Sequence, residues 1–307
     1  MAKLISVIVP LYNEEEVIHE SYRRLTNVLA AMEDDYELIF VNDGSRDKTF
    51  PMAKAIQEKD PRMVLVDFAR NFGHQIAVTA GLDQAKGDAV VIIDADLQDP
   101  PELIPQMVEM WKNGAEVVYG KRVSRKGETF FKKLTAFAYY RILDALSGWK
   151  IPKDTGDFRL MDKKVADVMR SMHEHNRFLR GMVSWVGFRQ EPIEFVREER
   201  FAGETKYPLK KMLKLATDGI ISFSGKPFGI IRAVGGVITA AGMLMLLALL
   251  IALCFTAVEG WLWVLCAVLA TGGLNLLALG ICGIYFERMY DELKGRPLYI
   301  LRDVHRA

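Results

Sequence analysis

The chain has 307 residues, of which 50% are hydrophobic and 26% are charged, and its formal net charge is +1. This length is enough for one large domain, or for two small ones, with a sizeable core. A net charge near zero without an arginine-rich groove argues against a nucleic-acid-binding protein. The three cysteines form no C-x-x-C pair, which excludes a disulfide framework and a cysteine zinc site.

The N-terminal half alternates between apolar runs and helical stretches. Five runs have the composition of buried strands: Leu4–Pro10, Tyr36–Val41, Met63–Phe68, Ala89–Ile93 and Glu116–Gly120. Helices are predicted from Asn13 to about Met32, from Asp47 to about Lys59, after His74 to about Ala85, and from Glu102 to Trp111. This alternation indicates an α/β fold with a mostly parallel sheet and flanking helices. The first apolar run is too short for a signal peptide, so we expect this domain to stay in the cytoplasm.

The fourth predicted strand runs directly into three carboxylates, those of Asp94, Asp96 and Asp99. Residues two apart on a strand face the same side, so Asp94 and Asp96 could converge on one point. Two such oxygen ligands suit Mg²⁺ or Mn²⁺ bound together with substrate phosphates. A bare D-x-D is also compatible with a solvated acidic turn that caps the next helix.

Polar residues also follow the other four predicted strands, and open α/β sheets bind ligands at the carboxyl ends of their strands. These segments are Tyr12–Glu14, Asn42–Gly44, Arg70–Asn71 and Lys121–Arg122. The chain has no G-x-G-x-x-G after its first strand and no G-x-x-x-x-G-K-[ST]. It therefore does not bind a nucleotide as a dinucleotide-binding or P-loop domain would. Acids at the strand ends indicate instead a diphosphate bridged by a cation.

The C-terminal third has the pattern of a membrane anchor. Residues 208–226 place apolar side chains opposite several lysines, which predicts an amphipathic helix on an anionic membrane surface. An ordinary surface helix is the alternative. Within residues 227–286, the segments 233–258 and 261–286 are essentially uncharged and long enough to span a bilayer. Basic residues flank the pair, so the positive-inside rule places both ends in the cytoplasm.

This pattern predicts a cytoplasmic catalytic domain over residues 1–207, then the amphipathic helix, a two-helix transmembrane hairpin, and a cytoplasmic tail over 287–307. Within the tail, Leu298–Leu301 has strand character. This segment could pair with another subunit, which would make the protein a homo-oligomer.

The motifs together resemble the GT-A-fold, family 2 glycosyltransferases that load polyprenyl phosphates. The resemblance is closest to bacterial bactoprenol glucosyltransferases of the O-antigen-modification type, and dolichol-phosphate mannose synthases are related. It covers nearly the whole chain. The segments that carry it are Val9–Glu15, Val41–Ser45, Arg70–Gly73, Asp94–Pro100, Gly120–Arg122, Gly156–Leu160 and Arg200–Tyr207. It implies a bacterial inner-membrane enzyme of the cell envelope, with a nucleotide sugar and undecaprenyl phosphate as substrates.

The resemblance also implies roles for individual residues. The nucleotide sugar would be held by Pro10, Tyr12, Glu14 and Asp43, and its diphosphate by the metal site of Asp94, Asp96 and Gln98. Phosphate groups of donor or acceptor would be bound by Arg122, Arg200 and Lys206. Asp157 lies where inverting relatives have a carboxylate near the reacting centre. Catalysis would then rest on Asp96, Asp157, Arg200 and Lys206, with Asp96 as the direct metal ligand.

The nucleophile in such a reaction is a phosphate oxygen, which is mostly anionic at neutral pH because its second pKa is about 6. A strong general base is then not required, unlike in transfer to a sugar hydroxyl. We therefore expect Asp157 to orient the acceptor, or a cation such as Arg200 or Lys206. The expected reaction is a single displacement with inversion, from a donor that the resemblance favours as UDP-glucose.

The sequence is also compatible with other functions. The same reaction could use UDP-N-acetylglucosamine, GDP-mannose or an aminoarabinose derivative. A processive polysaccharide synthase shares the early acidic motifs, but the chain lacks its Q-x-x-R-W signature and its channel of several helices. A non-catalytic, membrane-anchored nucleotide-sugar sensor is the remaining alternative.

Overall fold

The computed structural model describes residues 2–124, 155–196 and 260–306, together with residues 237 and 244. The predicted amphipathic helix at 208–226 lies outside these residues, as does the first predicted span at 233–258 apart from 237 and 244. Two predicted site residues, Arg200 and Lys206, also lie outside them. The other predicted site residues fall within the described part of the chain.

The described residues alternate between strands and helices in the N-terminal half, as predicted. The strands are β1 (Leu4–Leu11), β2 (Asp35–Asn42), β3 (Met63–Phe68), β4 (Ala89–Ile92), β5 (Val117–Ser124), β6 (Thr155–Asp162), β7 (Gln190–Val196) and β8 (Leu301–His305). The helices are α1 (Ile18–Ala30), α2 (Thr49–Gln57), α3 (His74–Gln84), α4 (Ile104–Lys112), α5 (Lys163–Ser171), α6 (Leu179–Trp185) and α7 (Trp261–Leu293). A 3₁₀ turn, Pro101–Leu103, precedes α4.

All five predicted strands form, and only β5 extends well beyond its predicted end. The first helix begins at Ile18 and not at Asn13, where we predicted it. The reason is local, because Asn13 adopts a φ of 55°, which lies in the left-handed region and is incompatible with a helix. Gly156 and Asp157 lie inside strand β6.

The strands form one sheet in the order β7-β5-β6-β4-β1-β2-β3-β8. Strands β3, β2, β1 and β4 are parallel neighbours, whereas β6 runs antiparallel between β4 and β5. The prediction of a mostly parallel sheet with flanking helices is confirmed. From β1 the chain continues to β2 on one side, and β4 lies on the other side. Their carboxyl ends therefore flank a crevice of the kind that binds ligands in open α/β sheets.

Two apolar layers cover the faces of the sheet. Consecutive residues of β1, Val7 and Ile8, belong to opposite layers, as the alternation of side chains along a strand requires. Helices α1, α2 and α4 pack in one layer, and α3, α5 and α6 in the other. Gly81 of α3 lies directly on Ile8, since a Cβ there would come within 2.3 Å of the Ile8 Cγ2 atom. This close approach brings α3 directly against β1.

The end of the chain returns to the sheet. Residues Leu301–His305 form β8, which pairs antiparallel with β3. A strand therefore forms in the tail, as predicted, but it begins at Leu301 and not at Leu298. It pairs with a strand of the same chain, whereas we predicted that it could pair with another subunit. The physical reason is that β3 would otherwise be an edge strand with unpaired backbone groups.

The second predicted span, 261–286, lies within α7. Its described side chains include the exposed Trp261, Trp263 and Phe286. Among the helices that the structure describes, none combines the length and apolarity needed to cross a membrane.

Candidate active site at the carboxyl ends of the strands

The segment after β4 presents every second side chain to the crevice. Asp94, Asp96 and Gln98 are partly exposed, and the residues between them are buried. Leu97 adopts a φ of 58°, a left-handed conformation that is uncommon for a residue with a bulky side chain. Asp96 Oδ1 accepts a hydrogen bond from the Gln98 backbone N–H at 3.1 Å. Unusual backbone conformations of this kind cluster at functional sites.

Asp157 of β6 lies at the centre of a charged cluster on this side of the sheet. Arg180 Nε donates to Asp157 Oδ1 at 2.8 Å, and the Arg180 Nη2 lies 3.4 Å from Oδ2. The Gln75 amide donates to Oδ2 at 3.3 Å, and His74 Nε2 lies 3.2 Å from the same oxygen. His74 Nε2 is also 3.7 Å from Asp94 Oδ1. The cluster thus joins α3, β6, α6 and the segment after β4.

The charges of this cluster determine its protonation. Burial raises the pKa of Asp157, but Arg180 and then His74 outweigh burial and hold that pKa well below its ordinary value. Burial lowers the pKa of His74, yet Asp94 and Asp157 together raise it to about 9. Burial raises the pKa of Asp94, and the nearby Asp157 adds to the rise while His74 opposes it. At neutral pH, Asp157 is therefore an anion between two cations.

Asp43 directly follows β2, and its carboxylate accepts hydrogen bonds from the segment that precedes α3. It accepts hydrogen bonds from the Phe72 N–H at 2.6 Å, the Gly73 N–H at 2.9 Å and the Asn71 amide at 2.9 Å. Burial raises the pKa of Asp43 in spite of these donors. Gly73 has a φ of 103°, which favours glycine. Asp43 thus shapes the turn from which α3, and with it His74, begins.

The residues predicted to hold the nucleotide lie at the ends of β1 and β2. Pro10 is buried within β1, whereas Tyr12 and Glu14 are partly exposed just beyond it. The Glu14 N–H donates to the Thr49 hydroxyl at 2.7 Å. This bond ties the segment after β1 to the start of α2. The Asp43 N–H donates to the Leu11 carbonyl oxygen at 2.9 Å, so the segment with Tyr12 and Glu14 adjoins the turn at Asp43.

Two arginines support the cluster from within the sheet. Arg122 of β5 lies with its Nη2 atom 3.4 Å from Asp99 Oδ1, and a Cβ at Gly156 would come within 2.5 Å of the same nitrogen. Arg159 is buried and donates to the carbonyl oxygens of Gly156 at 3.0 Å and Asp157 at 3.3 Å. Burial lowers the pKa of Arg159 to about 10. Arg159 therefore braces the backbone that carries Asp157, and Arg122 lies beside the same strand at Gly156.

Sequence reasoning missed part of the site. It assigned no role to His74, Gln75 or Arg180, and it named His74 only as the residue before a predicted helix. A histidine directly after the polar segment that follows β3 was a usable signal. Arg180 gave none, because only the folded chain brings it to Asp157, 23 positions away in sequence.

The comparison with known families identifies the class of enzyme. The family described as Glycosyl transferase family 2 matches residues 6–170, from β1 into α5. This match covers more than half of the chain and includes most of the site described above. The chain belongs to this family, and the protein is a glycosyltransferase, as the motifs predicted.

Individual relatives match over almost their whole length. The uncharacterized glycosyltransferase YkcC of Bacillus subtilis (strain 168) is 54% identical, covering 97% of this chain and 93% of its own. The prophage bactoprenol glucosyl transferase homolog of Escherichia coli (strain K12) is 40% identical, covering 98% of this chain and 99% of its own. The SfII prophage-derived bactoprenol glucosyl transferase of Shigella flexneri is 39% identical, with 99% of both chains covered.

A solved structure described as that of a mycobacterial protein shares the fold. It superposes with a TM-score of 0.50 at 20% identity, covering 71% of this chain and 73% of its own. At this identity the likeness shows the fold alone, and it agrees with the α/β architecture described above.

Proposed function

We propose that the protein transfers glucose from UDP-glucose to a polyprenyl phosphate, undecaprenyl phosphate in a bacterium, with inversion at the anomeric carbon. Two relatives that cover nearly the whole chain, at 40% and 39% identity, bear the name bactoprenol glucosyl transferase. These names support both the sugar and the lipid acceptor. The other nucleotide sugars considered above are the alternatives for the donor.

The observation that carries this proposal is the pairing of Asp157 with Arg180 and His74. A carboxylate whose pKa is held well below its ordinary value has little affinity for a proton and is a weak general base. Transfer to a sugar hydroxyl needs a stronger general base, which removes the hydroxyl proton. A phosphate acceptor does not, because its second pKa of about 6 leaves it mostly anionic at neutral pH.

The reaction then proceeds as one displacement. An oxygen of the acceptor phosphate forms a bond to the anomeric carbon, and the bond from that carbon to the nucleoside diphosphate breaks. Tyr12, Glu14 and the turn at Asp43 border the nucleoside, and Asp157 with its cations orients the acceptor phosphate. Arg200 and Lys206, predicted from the sequence to bind phosphate groups, complete the site in this proposal. The fixed charges stabilise the charge that develops on the departing diphosphate.

A divalent cation suits the segment after β4. Burial and neighbouring carboxylates raise the pKa of Asp94, so this part of the site would gain from added positive charge. Mg²⁺ and Mn²⁺ need only one or two carboxylates together with substrate phosphates. Within the described residues no group of three or more His, Cys, Asp or Glu side chains could hold a metal. Asp94, Asp96 and Gln98 would therefore hold the ion with the donor, where it would neutralise the leaving diphosphate.

The membrane placement is also part of the proposal. The uncharged segments 233–258 and 261–286 would form a hairpin, and the amphipathic helix at 208–226 would lie on the inner leaflet. Support comes from the sequence, because Lys and Arg flank the pair and are absent from the link between the segments. Both termini and the active site would then face the cytoplasm of a bacterial inner membrane.

The test is a transfer assay with purified protein, undecaprenyl phosphate and a panel of radiolabelled nucleotide sugars. Label from UDP-glucose should enter the organic phase with Mg²⁺ or Mn²⁺ and stay out of it with EDTA. The product should have the anomeric configuration opposite to that of the donor. Absence of label in the organic phase for every donor, with a folded protein, would refute the proposal.

A further inference from the structure

The loop between α5 and α6 is held by the C-terminal segment of the chain. The His175 N–H donates to Glu292 Oε1 at 2.7 Å, and His175 Nδ1 lies 2.8 Å from Glu292 Oε2. The other ring nitrogen, Nε2, lies 2.7 Å from the carbonyl oxygen of Arg296. A carboxylate and a carbonyl both accept, so the two ring nitrogens both donate and the imidazole is a cation. Glu292 first, and then this carbonyl, raise the pKa of His175.

The same C-terminal segment contacts the catalytic unit at further points. The Tyr299 ring stacks on Phe68 with centroids 5.2 Å apart, and its hydroxyl donates to Asp83 Oδ2 at 2.6 Å. Strand β8 then extends the sheet, and the Arg306 guanidinium donates to the side chain of Gln84 at 2.7 Å. Residues 292–306, which we call the strap, are thus fixed to the loop, the sheet and the C-terminal end of α3.

The elements that hold the strap are the elements that carry the active site. Helix α3 binds the strap at its C-terminal end and contributes His74 and Gln75 at its first turn. The loop that carries His175 leads directly into α6, where the Leu179 N–H donates to Gln75 Oε1 at 2.9 Å and Arg180 pairs with Asp157. The strap is therefore attached to the same rigid elements that carry the Asp157 cluster, so it can set their position relative to α7 without being part of the cluster itself.

We propose that the strap fixes the active site at one distance and orientation relative to α7, with His175 and Glu292 as its positioning residues. The inference rests on the proposed function, in which the uncharged sequence segment 261–286 is placed in the bilayer and the acceptor is a membrane lipid. A lipid phosphate cannot move far from the membrane surface, so the site must be held where that phosphate is. The uncharged part of α7 ends at Phe286, and Glu292 lies beyond it. In the proposed placement Glu292 is therefore just outside the bilayer, where it can connect α7 to the catalytic domain.

The experiment compares two acceptors, undecaprenyl phosphate in bilayer vesicles and a short-chain, water-soluble polyprenyl phosphate. Glu292→Gln should lower kcat/KM on the vesicles by about tenfold to a hundredfold, the range for a misplaced site, and leave the soluble acceptor within about twofold. His175→Gln should do the same, and the double variant should equal either single one because both remove one contact. Glu287→Gln, an equal charge change at an exposed position of α7, is the matched control and should have no effect.

The outcomes separate this inference from the function on which it rests. If the unaltered protein uses neither acceptor, the proposed function and the strap inference both fail. If Glu292→Gln lowers transfer to both acceptors equally, or to neither, the strap inference alone fails. Tyr299→Phe guards against a folding defect, since it removes only the bond to Asp83 and should give the same preference for the soluble acceptor in weaker form.

Discussion

Two regions of the active site each contain a buried aspartate, and they neutralise it in different ways. Asp43, at the end of β2, is 2% exposed, and Asp157, in β6, is 6% exposed. Backbone N–H groups and an amide surround Asp43, and burial raises its pKa. Two cations surround Asp157, and its pKa falls well below the ordinary value.

The contrast indicates that Asp43 maintains the shape of a turn, whereas Asp157 acts through its charge. Neutral dipoles suffice where a carboxylate only has to hold a turn, as Asp43 holds the start of α3. Fixed ionic partners are needed where a buried carboxylate must stay charged, because an unpaired buried ion is strongly unfavourable. We therefore expect loss of the Asp157 charge to affect turnover first, and loss of the Asp43 charge to affect stability first.

The largest expected effect is that of Asp157→Asn on turnover. A neutral amide cannot hold Arg180 and His74 as a carboxylate does, so both cations lose their orientation toward the reacting groups. We expect kcat to fall on the order of a hundredfold, as for the loss of one preorganised electrostatic group. The transfer assay measures it, and Asp35→Asn, an exposed aspartate of β2, is the control. A folded variant with unchanged kcat would contradict the charged role.

Asp43→Asn should act mainly on stability. The amide places an NH₂ group opposite at least one of the three donors that now bind the carboxylate, so a buried bond is replaced by two facing donors. The expected loss in the free energy of unfolding is about 1–3 kcal/mol, with kcat reduced less than by Asp157→Asn. Urea denaturation followed by circular dichroism measures the loss. If this variant lost turnover as strongly as Asp157→Asn at full stability, the two aspartates would not differ in role.

The sequence alone predicted the features that depend on local pattern. Apolar runs located the first five strands, and polar residues at their ends located the crevice with Asp43, Asp94 and Asp96. What it could not predict depends on distant parts of the chain meeting in space. One such case is the pairing of Arg180 with Asp157, which depends on where the antiparallel strand β6 lies in the sheet. Another is the pairing of β8 with β3, which depends on where the C-terminal segment lies.

The expected partner of Asp157 shows the same limit. Sequence reasoning expected it to orient a cation and named Arg200 or Lys206, which lie outside the described residues. Within the described residues the cations are Arg180 and His74. The electrostatic need of a buried carboxylate for positive charge was predictable, because it follows from burial. Which residue meets that need depends on the fold.

The smallest expected effect is on the pH dependence of stability, where the two aspartates act with opposite sign. The folded-state pKa of Asp157 is below the ordinary value of 3.8, so the stability it contributes is lost as the pH falls below that value. The folded-state pKa of Asp43 is raised, so its contribution is present at low pH and lost as the pH rises through the folded pKa. Urea denaturation from about pH 6 to about pH 3, across the carboxyl range, should show Asp157→Asn less sensitive to acid than the unaltered protein and Asp43→Asn more sensitive. Equal slopes in the two variants would mean that dipoles and cations neutralise the two carboxylates equally well.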